Sequence, residues 1–281
     1  TVLRDGHLIR TLLIRETGPE QVIEDMIGRD MHQLYPDRGV LHPGNTLLEI
    51  EGLSRLGVFQ EVSFTVREGE ILGIAGLVGS GRTELLNSIY GVDPFDDGEI
   101  RWRGAKAEIA SPADAIRHGI GFVTEDRLME GLAQQFTVKE NISMPSLRTI
   151  SRGGVLIERQ EADLAEQYIE RLNIDASSAY EMVSHLSGGN QQKVVLAKWL
   201  SRSCDLLMFD EPTKGVDVGA REQICELIFQ LARSGKGIIL VSSEFPELIA
   251  LSDRIVILKQ GQLVGEVNRG ESSHEKLMSM V

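Results

Sequence analysis

Leu186-Ser187-Gly188-Gly189-Asn190-Gln191-Gln192-Lys193 and, after residues 194–209, Asp210-Glu211-Pro212-Thr213 form the stretch from which the fold can be read. The first part sets a hydroxyl and two glycines ahead of an apolar pattern, Val194, Val195, Ala197 and Leu200, at helical spacing. Bare backbone N–H groups at a helix N-terminus make a ready anion site. The second part is an apolar strand, Leu206-Leu207-Met208-Phe209, that delivers two carboxylates at its C-terminal end. Alone, each part has a plainer reading. Serine-glycine pairs before helices are common, and an Asp-Glu pair at a strand end can simply cap the next turn.

Upstream, Gly76-Leu77-Val78-Gly79-Ser80-Gly81-Arg82-Thr83 lies between an apolar strand, Ile71-Leu72-Gly73-Ile74-Ala75, and a helical run from Thr83 to Tyr90. Strand, glycine-rich turn and helix in that order are the context of a phosphate-binding loop. The glycines let successive N–H groups curl around phosphate oxygens. A ligand-free turn of the same composition is the alternative, and the motifs downstream weigh against it.

The order of these motifs resembles the nucleotide-binding domain of ABC transporters. The variants are more specific. Gly-Arg-Thr-Glu (81–84), Thr-Glu-Asp-Arg (124–127), Leu-Ser-Gly-Gly-Asn-Gln-Gln-Lys (186–193), Asp-Glu-Pro-Thr-Lys-Gly-Val-Asp-Val-Gly-Ala (210–220) and Val-Ser-Ser-Glu (241–244) are similar to the second domain of ribose-type sugar-import ATPases. In that family one polypeptide carries two such domains in tandem. The resemblance covers residues 46–281 and extends toward the N-terminal segment.

The resemblance implies an α/β fold, a P-loop NTPase (ABC ATPase) core with a largely parallel sheet. A small antiparallel β subdomain and a helical subdomain over about 126–186 would accompany it, the latter facing membrane subunits. It implies ATP and Mg²⁺ as cofactors, with Gly76, Gly79, Ser80, Gly81, Arg82 and Thr83 around the phosphates. Thr83, Asp210 and Glu125 would surround Mg²⁺, Asp210 acting through water, and Glu211 would polarise the attacking water. Ser187, Gly188 and Gly189 would contact the γ-phosphate of a nucleotide held by a partner domain. Asp217 would sit in the loop that crosses the dimer interface. Ser243 stands at the switch position. The implied partners are a preceding nucleotide-binding domain of the same polypeptide, transmembrane permease subunits and, indirectly, a periplasmic sugar-binding protein. The implied location is peripheral, at the cytoplasmic side of the inner membrane.

Four positions depart from the family's active pattern. Arg82 stands where a lysine normally reaches the β- and γ-phosphates, and its bulkier planar fork is no equivalent of a compact ammonium. Glu84 puts a carboxylate in the first helical turn, where it competes with phosphate for the positive end of the helix dipole, although carboxylates also suit that turn on their own account. Glu125 replaces the usual glutamine and brings extra negative charge beside a triphosphate. Ser243 replaces a histidine and is too short for the same phosphate contact. No aromatic side chain is placed to stack on adenine; Phe59, the nearest, is expected in the core. Together these changes predict a weakened nucleotide pocket beside an intact signature stretch.

Composition bounds the alternatives. The 281 residues can bury a sizeable core as one large domain or two small ones. Hydrophobic content of 42% and charged content of 25% are ordinary for a globular protein. A net charge of −13 argues against a nucleic-acid partner, which calls for a basic footprint. No apolar run reaches bilayer length, so membrane contact would come through a partner. Cys204 and Cys225 offer no disulfide framework and suit a reducing cytosol. The six histidines show no metal-ligand spacing. No signal peptide is evident, and the chain starts within an apolar, strand-like run, so it is expected to be part of a longer one.

An internal repeat points the same way. Thr1-Val-Leu-Arg-Asp-Gly6-His-Leu-Ile matches Val256-Ile-Leu-Lys-Gln-Gly261-Gln-Leu-Val at an offset of 255. Farther on, Glu20 meets Glu275 and Val22-Ile23 meets Leu277-Met278. Unrelated hairpins also look like this, but a gapless offset favours a true repeat. Residues 1–30 therefore read as the tail of a preceding domain copy, 31–45 as a linker with Pro36, Gly39, Pro43 and Gly44, and 46–281 as the nucleotide-binding domain. In the linked domain Leu47–Ile50, Val62–Val66, Gly237–Val241 and Arg254–Leu258 read as strands, and 159–172 as a helix whose Leu164, Tyr168, Ile169 and Leu172 belong to the core.

Three functions compete. One is the energising subunit of a sugar importer. Another is a regulatory module that holds nucleotide and completes its partner's site without hydrolysing. The third is a soluble tandem ATPase of the same superfamily, disfavoured by the acidic balance.

Overall fold

The structure, a computed structural model, describes residues 1–4, 7–13, 17, 18, 22, 25 and 43–281. Gly6, Glu20 and Ile23 of the repeat, and residues 31–42 of the expected linker, lie outside the described residues.

A six-stranded sheet forms the centre. Its order is Gln262–Asn268, Arg254–Lys259, Ile71–Ala75, Gly237–Val241, Leu206–Asp210, Ile120–Val123. All neighbours are parallel except the first two, which pair as an antiparallel hairpin. Ile71–Ala75, Gly237–Val241, Leu206–Asp210 and Ile120–Val123 are buried at every residue. That burial explains their unbroken apolar runs, as expected for strands covered on both faces. The edge strand Ile120–Val123 is too short and too glycine-rich to stand out in the sequence. Gly121 is needed there for packing, since a β-carbon would lie 2.9 Å from Leu207 Cδ2 and 3.1 Å from Cys204 Sγ.

The register decides where chemistry can collect. Asp210 pairs with Val241, and Val241 with Ile74. Three strand ends thus finish in one row. They release loop 76–81, the Asp210-Glu211 pair and the Ser242-Ser243 turn side by side, at the C-terminal edge where α/β sheets bind ligands.

A four-stranded antiparallel sheet, ordered Phe59–Arg67, Thr46–Arg55, Asp97–Trp102, Ala105–Lys106, covers part of the core. Phe59 is 3% exposed and belongs to the core, as expected. Beyond the central sheet, helix Val138–Ser143 starts from a Thr137/Glu140 capping box. It is tied to helix Glu158–Arg171 by a buried ion pair, Lys139 Nζ to Glu161 Oε2 at 2.8 Å. Tyr168 donates to the Leu200 carbonyl at 2.8 Å, fastening that helix to Gly188–Ser201. Tyr168 is buried, while Leu164, Ile169 and Leu172 pack half-buried against the same core.

At the N-terminal end Val2–Arg4 and His7–Arg10 form a two-stranded ribbon. Its pairs are Val2 with Arg10, Leu3 with Leu8 and Arg4 with His7, with an irregularity between Val2 and Leu3. The hairpin at the sheet edge pairs Ile257 with Gly265, Leu258 with Leu263 and Lys259 with Gln262, with its irregularity between Ile257 and Leu258. Every pair and the bulge repeat at the offset of 255. Downstream, Val22 N donates to Gly18 O at 3.4 Å and Leu277 N to Ser273 O at 3.0 Å, again at that offset. The two copies differ in burial. Leu258 is fully buried in the core beside Ile71–Ala75, whereas Leu3 is 60% exposed.

Candidate functional site

The loop after Ile71–Ala75 is shaped by glycines at positions no other residue fits well. Gly79 and Gly81 take φ of 81° and 97°, in the left-handed region. A β-carbon on Gly76 would come within 2.5 Å of both the Leu258 carbonyl oxygen and Ser80 Oγ. The loop is pinned from below, with Ser80 O accepting from Gly261 N at 3.0 Å. Ser80 is buried and its hydroxyl has no partner. Leu77 and Val78 face outward. Helix Arg82–Tyr90 then begins at Gly81, with Glu84 exposed on its first turn.

Thr83 and Asp210, 127 residues apart, meet through a hydrogen bond from Thr83 Oγ1 to Asp210 Oδ2 at 2.7 Å. Asp210 is 1% exposed and its Oδ1 is buried without a partner. Burial pushes its carboxyl up to about 6; the Thr83 hydroxyl acts the other way, and the charges of Glu125 and Glu211 add to the rise. A desolvated carboxylate with one vacant oxygen beside a threonine hydroxyl is a suitable donor pair for a hard cation such as Mg²⁺.

Arg82 does not extend over the loop. Its side chain is buried, with Nη1 donating to the Ser242 carbonyl at 3.0 Å and Nη2 lying 3.6 Å from Glu211 Oε1. Glu211 sits at φ 49°, its N–H donating to Val241 O at 2.9 Å, and its second oxygen accepts from Ser243 Oγ at 3.1 Å. Arg82, Glu211 and Ser243, three of the residues singled out from sequence, thus engage one another. Glu125 joins the same neighbourhood through a different contact. It accepts from Lys214 Nζ at 2.5 Å, and that bond holds the Lys214 ammonium above the usual lysine range.

The signature stretch forms the N-terminus of Gly188–Ser201. Ser187 is exposed and accepts from Asn190 N and Nδ2 at 3.4 and 3.1 Å. Gly189 packs under Asp217 and Ala220, where a β-carbon would be 3.4 Å from Asp217 Oδ2 and 3.3 Å from Ala220 Cβ. Asp217 caps Val218–Arg233 through Ala220 N at 2.9 Å. Ser187, Gly188 and Gly189 thus lie at one helix N-terminus, with Asp217 of the next helix packed beside Gly189.

Ser242, Lys214 and Arg127 carry no role in the sequence reading, although each lies inside one of the motifs quoted above. The partner of each is remote in sequence. Among the described residues no group of histidines, cysteines and carboxylates has the makings of a multi-residue metal centre, and no helix is long and apolar enough to cross a membrane.

Fold and loop together define a phosphate-loop nucleotide-binding protein of the α/β class. The ABC transporter family model matches residues 59–214, and the chain belongs to that family. It is 43% identical over 280 residues to the ribose import ATP-binding protein of Bacillus licheniformis, covering 100% of this chain and 57% of that protein. To the ribose import ATP-binding protein of Bacillus subtilis it is 42% identical over 280 residues, with the same coverage. The chain thus spans a little over half the length of these curated relatives. Among solved structures, a dimeric post-hydrolysis ATP-binding cassette, MJ0796, bound to ADP and Pi, matches with a TM-score of 0.68 at 24% identity, covering 79% of this chain and 99% of that one. CbiO1 from Clostridium perfringens, part of an ABC transporter complex, also gives 0.68, at 20% identity over 83% of this chain and 93% of its own. These likenesses establish the fold.

Proposed function

We infer that this chain is an ATP-binding domain of a sugar-import ABC transporter, coupling ATP binding and hydrolysis to carbohydrate uptake. Whole-chain similarity to ribose import ATP-binding proteins supports the cargo class. ATP and Mg²⁺ fit the site. Gly79 and Gly81 open the loop backbone toward phosphates, and Thr83 with Asp210 would hold the cation, which supplies charge neutralisation for those phosphates. Residues 46–281 act as the nucleotide-binding domain, following a linker at 31–45. Residues 1–30 close a preceding domain of the same polypeptide, a reading supported by the matched pairs and bulge of the two hairpins. The partners are that preceding domain and transmembrane permease subunits, at the cytoplasmic side of the inner membrane, with a periplasmic sugar-binding protein reached through the permease.

The finer part of the reading is asymmetric. This domain's own pocket is degenerate, and its main contribution is the signature face given to its partner's nucleotide. One observation carries this: Arg82 is committed to Glu211 and the Ser242 carbonyl. The cation expected at the phosphates and the carboxylate expected on water neutralise each other, and Ser243 donates to the same carboxylate. That observation also favours the second reading, a regulatory module that holds nucleotide without hydrolysing it. The test is ATP binding and hydrolysis by this chain alone and by the full-length polypeptide assembled with its permease. Weak binding without turnover by the chain alone, with turnover in the assembly, is the expected result. Rapid hydrolysis by the chain alone would overturn the asymmetric reading.

A further inference from the structure

Arg127 belongs to the Thr124–Arg127 motif, yet nothing in the reading so far uses it. It opens a π-helical turn, Arg127–Gly131, fixed by Asp126 Oδ1, which accepts from Leu128 N and Met129 N at 3.0 and 3.1 Å. Single π-turns occur frequently at functional positions. This one aims the guanidinium between the Lys214 loop and the N-terminus of helix Gly188–Ser201. Nη1 donates to the Lys214 carbonyl at 3.3 Å, and Nη2 lies 2.7 Å from where a β-carbon would stand on Gly188. Nε is buried without a partner.

The carboxylates on the adjoining segments are engaged elsewhere. Glu125 pairs with Lys214, Asp126 caps its own turn, and Asp217 caps Val218–Arg233. Arg127 therefore pairs with no carboxylate among the described residues and rests against the bare face of the signature glycine. The absent side chain of Gly188 leaves room for the planar fork, whose geometry matches phosphate oxygens two at a time.

We propose that Arg127 is an anion-binding residue of the composite site. Its guanidinium meets the terminal phosphate of the nucleotide that the opposing domain brings to Ser187, Gly188 and Gly189. This rests on the reading that the signature face serves a partner's nucleotide. The added charge would distinguish a triphosphate from a diphosphate at that face, because only the triphosphate extends a terminal group to it.

The experiment uses the full-length polypeptide assembled with its permease. Steady-state ATPase and ATP and ADP affinities are measured for Arg127→Gln, Arg127→Lys and Gly188→Asp. Removing one well-placed donor to developing anionic charge costs on the order of 10²-fold in rate. The expected result is a loss of about that size in kcat/KM for Arg127→Gln, partial recovery in Arg127→Lys, and weakened ATP affinity with ADP affinity kept. If Gly188→Asp remains active, the signature reading fails and this proposal with it. If Gly188→Asp is inactive while Arg127→Gln stays within about twofold of the parent, the proposal alone is overturned. Equal losses for ATP and ADP, with a lowered melting temperature and no rescue by lysine, assign Arg127 a purely structural role and also overturn it.

Discussion

Arg82 and Glu211 lie 3.6 Å apart, both nearly fully buried, so the phosphate loop's cation is directed at the pocket's own acid. Removing one partner of such a pair leaves an uncompensated buried charge, which costs on the order of 3 kcal/mol. Arg82→Ala is expected to lower stability by about that amount in urea unfolding, and a second change, Glu211→Gln, to restore a good part of it. Additive losses in the two single variants and the double variant would show that the two side chains are energetically independent.

Replacing both phosphate-loop departures tests the pocket itself. Arg82→Lys with Glu84→Thr exchanges a bulky fork for a compact ammonium and removes a carboxylate from the first helical turn. ATP affinity, read by titration calorimetry, is expected to rise while hydrolysis stays low, because Ser243 remains. Rapid turnover by the double variant alone would contradict this account of the lesion.

Asp210 makes the pocket sensitive to pH. Its folded pKa, raised by burial to about 6, exceeds its ordinary value near 3.8. The carboxyl's contribution to stability is therefore fully present below pH 3.8 and is lost as pH rises through about 6. Asp210→Asn is expected to raise the melting temperature of the nucleotide-free protein at neutral pH, by a stability increment of up to about 3 kcal/mol. It should also abolish the Mg²⁺-dependent gain in nucleotide affinity. In the unchanged protein that gain is expected to fade as pH drops below about 6, since proton and cation compete for one carboxylate.

The asymmetric reading ranks two substitutions in the full-length assembly. Gly188→Asp drives a side chain against Arg127 Nη2 and brings a carboxylate to the face where a partner's γ-phosphate is expected, and should remove most ATPase activity. Glu211→Gln, already neutralised locally by Arg82, should leave a substantial fraction. The reverse ranking in steady-state ATPase would make this domain's own pocket the working one.

The loop geometry offers a further check. Gly76→Ala would drive a methyl group into the Leu258 carbonyl, which is backbone and cannot step aside. The variant is expected to lose stability by at least about 1–3 kcal/mol, as in overpacked cores, and to lose measurable ATP binding.

Local pattern carried much of the fold. Ile71–Ala75, Leu206–Asp210 and Gly237–Val241 are legible because strands buried on both faces need unbroken apolar runs, and the glycine spacing at 76–81 marks the loop between strand and helix. Ile120–Val123 was not legible, because its Gly121 answers to Leu207 and Cys204 across the sheet, as no local rule would suggest. The candidate site divides the same way. The residue types at 82, 125, 211 and 243 could be read and their departures named. Their pairing could not, since Arg82 meets Ser242 across 160 residues and Thr83 meets Asp210 across 127. Arg127 shows the limit most clearly, because its meaning lies in Gly188, a residue without a side chain to signal the contact.

The ribbon Val2–Arg4 with His7–Arg10 has a practical consequence for handling these 281 residues on their own. Leu3, Leu8 and Leu13 stand 60%, 64% and 56% exposed on and beside a two-stranded ribbon. Exposed strand edges with apolar side chains recruit other strands. Concentrated samples should therefore self-associate through this end, and a lysine at position 3 or 8 should act as a solubility switch without touching the nucleotide chemistry.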